Sequence, residues 1–189
     1  MLVASYGLTG VFVMALFEKF IPVIPSYLML MILGMSANSL PQLAGVLIVS
    51  ALGSTLASAV WYQIGDFLGD NRVRRAISRY GRYVFFTVDH YDRLGAAYKR
   101  NTFLVSFAGQ GVPVARIYLA LPAGVMRVGF RRFVAAATLG TLVYNLAFLL
   151  VGHALRGSGH DPLMTGLLVA AALVAAEVML FAFIRRRGV

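Results

Sequence analysis

Three long, predominantly apolar stretches of the chain predict helices that cross a membrane. They cover residues 43–68, 133–155 and 163–184. A helix needs about 20 consecutive apolar residues to cross the hydrocarbon core of a bilayer, and each stretch is long enough. The pattern therefore predicts an all-α, polytopic membrane protein with about three full transmembrane helices.

Two more apolar stretches, residues 3–35 and 103–126, are broken in the middle by prolines. Proline lacks a backbone donor and clashes with the preceding helical turn, so neither stretch can form one straight helix. Backbone groups freed inside a bilayer must bond within the protein or to water in a cavity, and paired breaks of this kind point to a transport site. The expected breaks lie at four prolines: Pro22, Pro25, Pro113 and Pro122.

Basic residues flank the second broken stretch on both sides. They are frequent in 72–100, recur within 127–132 and close the chain at 185–187. Basic segments lie mainly on the cytoplasmic side, so 103–126 should enter and leave the membrane by that face as a re-entrant hairpin. The first broken stretch would then be the opposed hairpin, entering from outside, with a kinked full span as the alternative.

Residues 83–100 separate into an apolar and a charged face at helical spacing. The apolar positions are Val84, Val88, Tyr91, Leu94 and Tyr98. Helices with two such faces lie in the plane of the membrane interface, so we expect an interfacial amphipathic helix here.

A short pattern recurs in the two halves of the chain. One Leu-Gly pair ends at Gly53 and another at Gly140, and after eleven residues each is followed by a further glycine, Gly65 or Gly152. With the topology above, the two units run through the membrane in opposite directions, as in inverted-repeat transporters. The alternative is that Leu-Gly pairs in apolar helices match by chance.

The composition agrees with a membrane protein and narrows its partners. Of 189 residues, 60% are hydrophobic and 13% are charged, against about 25% charged in a soluble domain, and the mean hydropathy is +0.80. We expect one membrane domain over residues 1–189, without a cleaved leader because 1–16 lack a basic segment. The net charge is +10, and the basic residues lie beside apolar spans. The expected partner is therefore an anionic lipid and not nucleic acid.

Several short motifs occur in an order that resembles one known family. They are Phe17-Glu18 with Pro22 and Pro25, Trp61-Tyr62 with Gly65 and Gly69, Tyr80-Gly81-Arg82, Pro113 with Arg116, Leu121-Pro122-Ala123-Gly124, Phe133, and Leu139-Gly140. Over residues 7–157 the chain resembles the DedA family, also called the SNARE-associated or VTT-domain family. The resemblance implies a multi-pass protein of the bacterial inner membrane with two opposed re-entrant hairpins. It also implies translocation of undecaprenyl phosphate or a phospholipid, coupled to a proton or sodium gradient.

The chain departs from the family pattern at two positions. The family carries an acidic residue just after the second proline of the first hairpin, where this chain has Ser26-Tyr27. It carries an arginine three residues before the proline of the second hairpin, where this chain has Gln110. Glu18 and Arg116 remain, so one acid–base pair of the pattern is absent, which leaves the coupling ion and the substrate open.

Glu18 and Arg116 are the main candidate site residues. A charge at the centre of a membrane costs at least about 2.5–3.5 kcal/mol on insertion scales, so each should have a function or a partner. Glu18 suits a proton carrier or a counter-ion of Arg116, and the alternative is an interfacial carboxylate paired with Lys19. Arg116 has the planar fork that binds phosphate through two hydrogen bonds, and the alternative is a structural tie for the hairpin.

Three further polar residues are candidates with open alternatives. Gln110 can donate and accept hydrogen bonds but cannot balance a phosphate charge, so it is either a ligand or polar filler at a helix break. Asp66 and His153 occupy equivalent positions of the repeat. They suit a proton relay, and the alternative is that both are interfacial.

These features predict a lipid transporter, with rivals from two other classes. A membrane enzyme acting on lipid phosphates would need a metal-binding acidic cluster or a nucleophile–base set, whereas the seven acidic residues are scattered. A non-transporting assembly protein would tolerate neutralisation of Glu18 or Arg116. We therefore expect a transporter that is not an enzyme, with no cofactor and no metal. The oligomeric state stays open, a homo-oligomer included.

Overall fold

Helices make up nearly all of the chain that the computed structural model describes, which is residues 2–21, 26–80, 87–111, 116, 119–156, 164 and 168. No strand occurs within those residues, so the all-α prediction is confirmed for them. The helices are α1 (Leu2–Phe17), α2 (Ser26–Ser36), α3 (Leu40–Tyr80), α4 (Val88–Arg100), α5 (Thr102–Gln110), α6 (Ala120–Val125) and α7 (Phe130–Ala154).

Two of these helices, α3 and α7, are long and apolar enough to cross a membrane. α3 contains the predicted span 43–68, and α7 contains the predicted span 133–155 except for its last residue. Both also expose large apolar side chains, including Leu52, Leu56 and Val143, each about half exposed. Such a surface suits contact with lipid. The third predicted span, 163–184, lies outside the described residues apart from two isolated positions.

Helix α3 continues beyond the predicted span, through the basic run up to Tyr80. Its backbone leaves the helical conformation once, at Gly69, where φ is +72°. Glycine adopts positive φ without steric cost, so this position lets the basic part of the helix change direction after the apolar part. The predicted span ends at Leu68, one residue before this change, but the sequence did not predict that the basic run is itself helical.

The predicted amphipathic helix forms as α4, although residues 81–86 lie outside the described part. Thr87 caps its first turn by accepting a hydrogen bond from the His90 backbone. Tyr91 and Tyr98 are buried, as the two-faced pattern predicted. Burial, together with a hydrogen bond to Asp70, raises the pKa of the Tyr91 phenol, which therefore stays protonated and donates to that carboxylate. The position of α4 at a membrane interface stays a prediction.

Neither proline-containing stretch is a single straight helix. α1 ends at Phe17 and α2 begins at Ser26, while α5 ends at Gln110 and α6 begins at Ala120. Pro22, Pro25 and Pro113 lie outside the described residues. Pro122 is described, and it does not mark a break as predicted: it lies in the first turn of α6, where its missing N–H has no helical partner to lose.

The helices of the two halves make corresponding contacts. α1 packs on α3 as α5 packs on α7, α2 packs on α7 as α6 packs on α3, and α3 also contacts α7. Two glycines of the sequence pattern lie at these contacts. A methyl group on Gly65 would come within 2.2 Å of the Leu121 carbonyl oxygen, and a methyl group on Gly152 would come within 2.2 Å of the Met31 carbonyl oxygen. Small residues at such places let helix backbones approach closely.

Candidate functional site

Glu18 and Arg116 lie together in the interior, although 98 residues separate them in the sequence. Glu18 sits in a backbone turn that follows α1, and Arg116 lies between α5 and α6. Arg116 Nη2 is 3.7 Å from Glu18 Oε1, and their side chains are only 1% and 7% exposed. The two sequence candidates therefore form one buried ion pair, and each broken stretch supplies one partner.

Arg116 has further partners, but two of its donor atoms have none among the described residues. Its Nη1 donates to Ser26 Oγ at 3.4 Å, and its guanidinium carbon lies 4.3 Å from the centre of the Tyr144 ring. Within the described part of the chain, Arg116 Nε and Nη2 have no hydrogen-bond partner, since 3.7 Å is too long for one. Buried donors without partners are rare, and guanidinium N–H groups on one edge are arranged to bind an oxyanion.

Lys19 is buried next to this pair, and the sequence did not identify it as a site residue. It is 1% exposed, and its Nζ donates to Ser58 Oγ at 2.5 Å and to Gln110 Oε1 at 3.4 Å. Its carbonyl accepts a hydrogen bond from Trp61 Nε1 at 3.1 Å. The interfacial Glu18–Lys19 pair considered for the sequence is therefore not the arrangement found, because Lys19 points to neutral partners and the recorded ion pair of Glu18 is with Arg116.

Gln110 connects the two halves at the same place. It is 1% exposed at the end of α5, and its Oε1 accepts from both Lys19 and Thr141 Oγ1, the latter at 3.3 Å. A single amide oxygen thus joins the first broken stretch to α7. Both Lys19 and Thr141 went unrecognised in the sequence, since nothing there shows which way a polar side chain in an apolar stretch points.

A row of buried serines on α3 extends the polar interior. Ser50, Ser54 and Ser58 are each at most 1% exposed. Ser54 Oγ donates to the Ala15 carbonyl at 3.4 Å, and Ser50 Oγ accepts from Asn145 Nδ2 at 3.0 Å. Their spacing of four residues places them on one helix face, which here contacts both α1 and α7.

Asp66 and His153 lie apart from these buried charges. Asp66 Oδ1 accepts from Arg127 Nε at 2.8 Å, and both side chains are well exposed. His153 Nδ1 is buried without a hydrogen-bond partner among the described residues. Neither residue has a recorded contact with the Glu18–Arg116 pair, so their role in a proton relay stays a prediction. In the described part of the chain, no group of three His, Cys, Asp or Glu side chains is placed to hold a metal ion.

Comparison with known proteins adds an independent finding. The sequence profile of the VTT domain matches residues 24–154. Undecaprenyl phosphate transporter A of Staphylococcus aureus is 27% identical over 166 residues, which cover 87% of this chain and 81% of that protein. The Bacillus subtilis protein of the same name is 28% identical, over 75% of this chain and 70% of its own length. A Lactococcus lactis protein named alkaline phosphatase-like is 27% identical, over 80% and 72%. No solved structure matches.

Proposed function

The chain belongs to the VTT-domain family, also called the DedA family, and from that premise we propose that it moves a lipid with an anionic phosphate head group across the bacterial inner membrane. Two relatives are named undecaprenyl phosphate transporters, which supports this substrate class. A phospholipid is the other member of the class, because its head group contains the same phosphate.

The observation that carries the proposal is the pair of free donor atoms on buried Arg116. Its Nε and Nη2 lack partners among the described residues, while Nη1 and the ring contact with Tyr144 hold the guanidinium in place. Phosphate accepts two parallel hydrogen bonds from one edge of a guanidinium. A positioning role and a binding role therefore coexist in one side chain.

Glu18 acts in this proposal as the counter-ion that the substrate displaces. At 3.7 Å from Arg116 it balances charge without occupying the donors through a hydrogen bond. An arriving phosphate competes with the carboxylate, and uptake of a proton or sodium ion by Glu18 would relieve that competition. Its charge state would thereby bias which side of the site is open.

The arrangement of helices suits alternating access by two opposed hairpins. The pairing of α1 with α3 and α2 with α7 corresponds to that of α5 with α7 and α6 with α3. An inverted repeat places its site where the two halves meet, near the bilayer midplane, and movement of one half against the other changes access. Glu18 and Arg116 come from the two broken stretches, as such a site requires.

A phosphatase is the rival suggested by the names of the two Lactococcus relatives. Phosphate ester hydrolysis requires an activated nucleophile or a set of metal ligands. In the described part of the chain, the buried centre contains one carboxylate, two cations and neutral hydrogen-bonding groups, a set that suits binding of a phosphate better than its cleavage. A structural or assembly role would leave the free donors of Arg116 without a purpose.

Reconstitution tests the proposal. Proteoliposomes containing labelled undecaprenyl phosphate or labelled phospholipid are assayed for movement between leaflets, with and without a pH gradient. We expect wild-type protein and the control Arg156→Gln to move the phosphate lipid, and Arg116→Gln to move it far more slowly. Arg156 is a suitable control because it hydrogen-bonds to Ala37 and Asn38, away from the buried charges. Release of free phosphate without lipid movement would instead establish the enzyme.

A further inference from the structure

Three charged side chains are buried together, and their charges do not balance. Lys19 and Arg116 are each 1% exposed, and the Glu18 side chain is 7% exposed. Two positive charges and one negative charge leave one positive charge without a counter-charge among the described residues. An unpaired charge inside a protein is unfavourable, so the site as it stands favours the arrival of an anion.

The two cationic side chains each extend from one broken stretch to the other, in opposite directions. Lys19 follows α1 and extends to Gln110 at the end of α5. Arg116 lies between α5 and α6 and extends to Ser26 at the start of α2. Lys19 is next to Glu18 in the chain, and Glu18 lies 3.7 Å from Arg116, so the three side chains belong to one buried region.

The partners of Lys19 satisfy its hydrogen bonding but not its charge. Both acceptors, the Ser58 hydroxyl and the Gln110 amide oxygen, are neutral. An ammonium group has three N–H donors, and these acceptors occupy two of them. A lysine that only tied helices together would gain more from a carboxylate partner, yet Glu18 is recorded in an ion pair with Arg116.

We propose that Lys19 is a second anion-binding residue and that Lys19 and Arg116 hold one phosphate group between them, one cation from each broken stretch. This inference rests on the proposed function, since it assigns a further residue to the same site. The bound phosphate would replace Gln110 or fill the third donor position of Lys19. It would bring the charge of the site to zero as a monoanion, or to minus one as a dianion that an uptake of one proton neutralises.

The chain contains a matched control and a built-in reporter for the test. Its other lysine, Lys99, is exposed in the last turn of α4. Its single tryptophan, Trp61, donates to the Lys19 carbonyl and stacks on Phe20 with ring centres 5.6 Å apart. Tryptophan fluorescence of purified protein in neutral detergent therefore follows binding next to Lys19. Dodecyl phosphate is the probe, and inorganic phosphate is titrated separately to distinguish a lipid head group from the free ion.

The variants are Lys19→Gln, Lys19→Arg, Lys99→Gln and Arg116→Gln, each checked for its thermal midpoint without ligand. Gln keeps a donor for Ser58 but carries no charge, so Lys19→Gln should stay folded and bind dodecyl phosphate roughly ten- to a hundredfold more weakly. Lys19→Arg should retain most of the affinity, and Lys99→Gln should match wild type. The free ion should bind more weakly than the lipid analogue and show the same dependence on Lys19.

The outcomes separate this inference from the proposed function. If Arg116→Gln loses binding while Lys19→Gln binds like wild type, the Lys19 assignment is wrong and the proposed function stands. A lower thermal midpoint of Lys19→Gln with unchanged affinity would show that Lys19 is a structural tie. If Lys19→Gln does not fold, Lys19→Arg decides, because loss of binding by this charged variant would also contradict the assignment. If the wild-type protein binds neither probe, both proposals fail.

Discussion

Two groups of charged side chains in this protein each contain an arginine paired with a carboxylate, but the groups differ in exposure and in charge balance. At the junction of α3 and α4, Arg74 pairs with Asp70 and Asp92, and all three side chains are about half exposed. In the interior, Arg116 pairs with Glu18, while the described partners of Lys19 are the neutral side chains of Ser58 and Gln110. The surface group has water and two acids for one base. Among the residues that the structure describes, the buried group has one acid for two bases.

The difference separates charges that hold helices in place from charges that are available for a ligand. Exposed ion pairs contribute little because water screens them. Buried charges are costly unless they are paired, so an unbalanced buried group persists only where it serves a purpose. We therefore assign a structural role to the surface group, where Tyr91 adds a hydrogen bond to Asp70, and substrate binding to the interior.

The largest effect should come from Arg116→Ala, which removes the free donors of the buried group. Loss of a charge-assisted contact made by two hydrogen bonds should weaken binding of a phosphate lipid roughly ten- to over a hundredfold. Arg116→Lys should restore only part of it, because an ammonium lacks the planar fork. Lipid binding by purified, folded variants measures this. The exposed Arg127→Ala is the control, and equal losses in both variants would contradict the assignment.

Glu18→Gln should affect coupling more than binding. The change keeps the shape of the side chain and removes the carboxylate that pairs with Arg116, so Arg116 and Lys19 can still attract the anion. Transport in proteoliposomes should become insensitive to the pH gradient and fall well below the wild-type rate. Glu18→Asp should keep some gradient-dependent activity. A Gln variant that transports like wild type at every pH would exclude a titrating role for Glu18.

Gln110→Glu should turn the buried group into a balanced one. A carboxylate at this position would lie beside Lys19 Nζ, now 3.4 Å from Gln110 Oε1, and supply the missing negative charge. We expect a higher thermal midpoint without ligand and about tenfold weaker phosphate-lipid binding. Differential scanning fluorimetry and lipid titration on the same sample test both parts. A higher midpoint with stronger binding would show that the charge balance does not govern the site.

The smallest effect should come from the surface group. Arg74→Gln removes one exposed cation next to two acids, so the thermal midpoint should change little, and less at high salt, where such pairs are screened. Transport should stay near the wild-type rate. A large loss of transport with an unchanged midpoint would mean that this surface takes part in function.

The sequence was sufficient for much of this picture. Apolar length predicted α3 and α7, proline chemistry predicted the two interrupted stretches, and the cost of charge in lipid singled out Glu18 and Arg116. Each of these rests on a local rule that holds wherever the chain folds. The family resemblance was confirmed by the VTT-domain match.

Other features depend on three-dimensional context and were missed. The sequence left a local pair of Glu18 with Lys19 open as an alternative, because sequence spacing does not show that the carboxylate pairs with Arg116, 98 positions after Glu18. Pro122 was predicted to break a helix, because the sequence does not show that α6 begins two residues before it. The sequence also did not show that Asp66 accepts a hydrogen bond from exposed Arg127, and its relay role with His153 stays a prediction. The partners of Glu18 and Asp66 are both distant in sequence, whereas the Pro122 error is local.

The central claim is that the buried cations recognise the phosphate and not the lipid tail. The most direct measurement compares transport of labelled undecaprenyl phosphate with that of labelled undecaprenol, which has the same tail without the phosphate, in proteoliposomes of the wild-type protein. We predict rapid movement of the phosphate lipid, with no acceleration of the alcohol over protein-free liposomes. Equal acceleration of both lipids would contradict the claim, since it would show that the site does not recognise the phosphate.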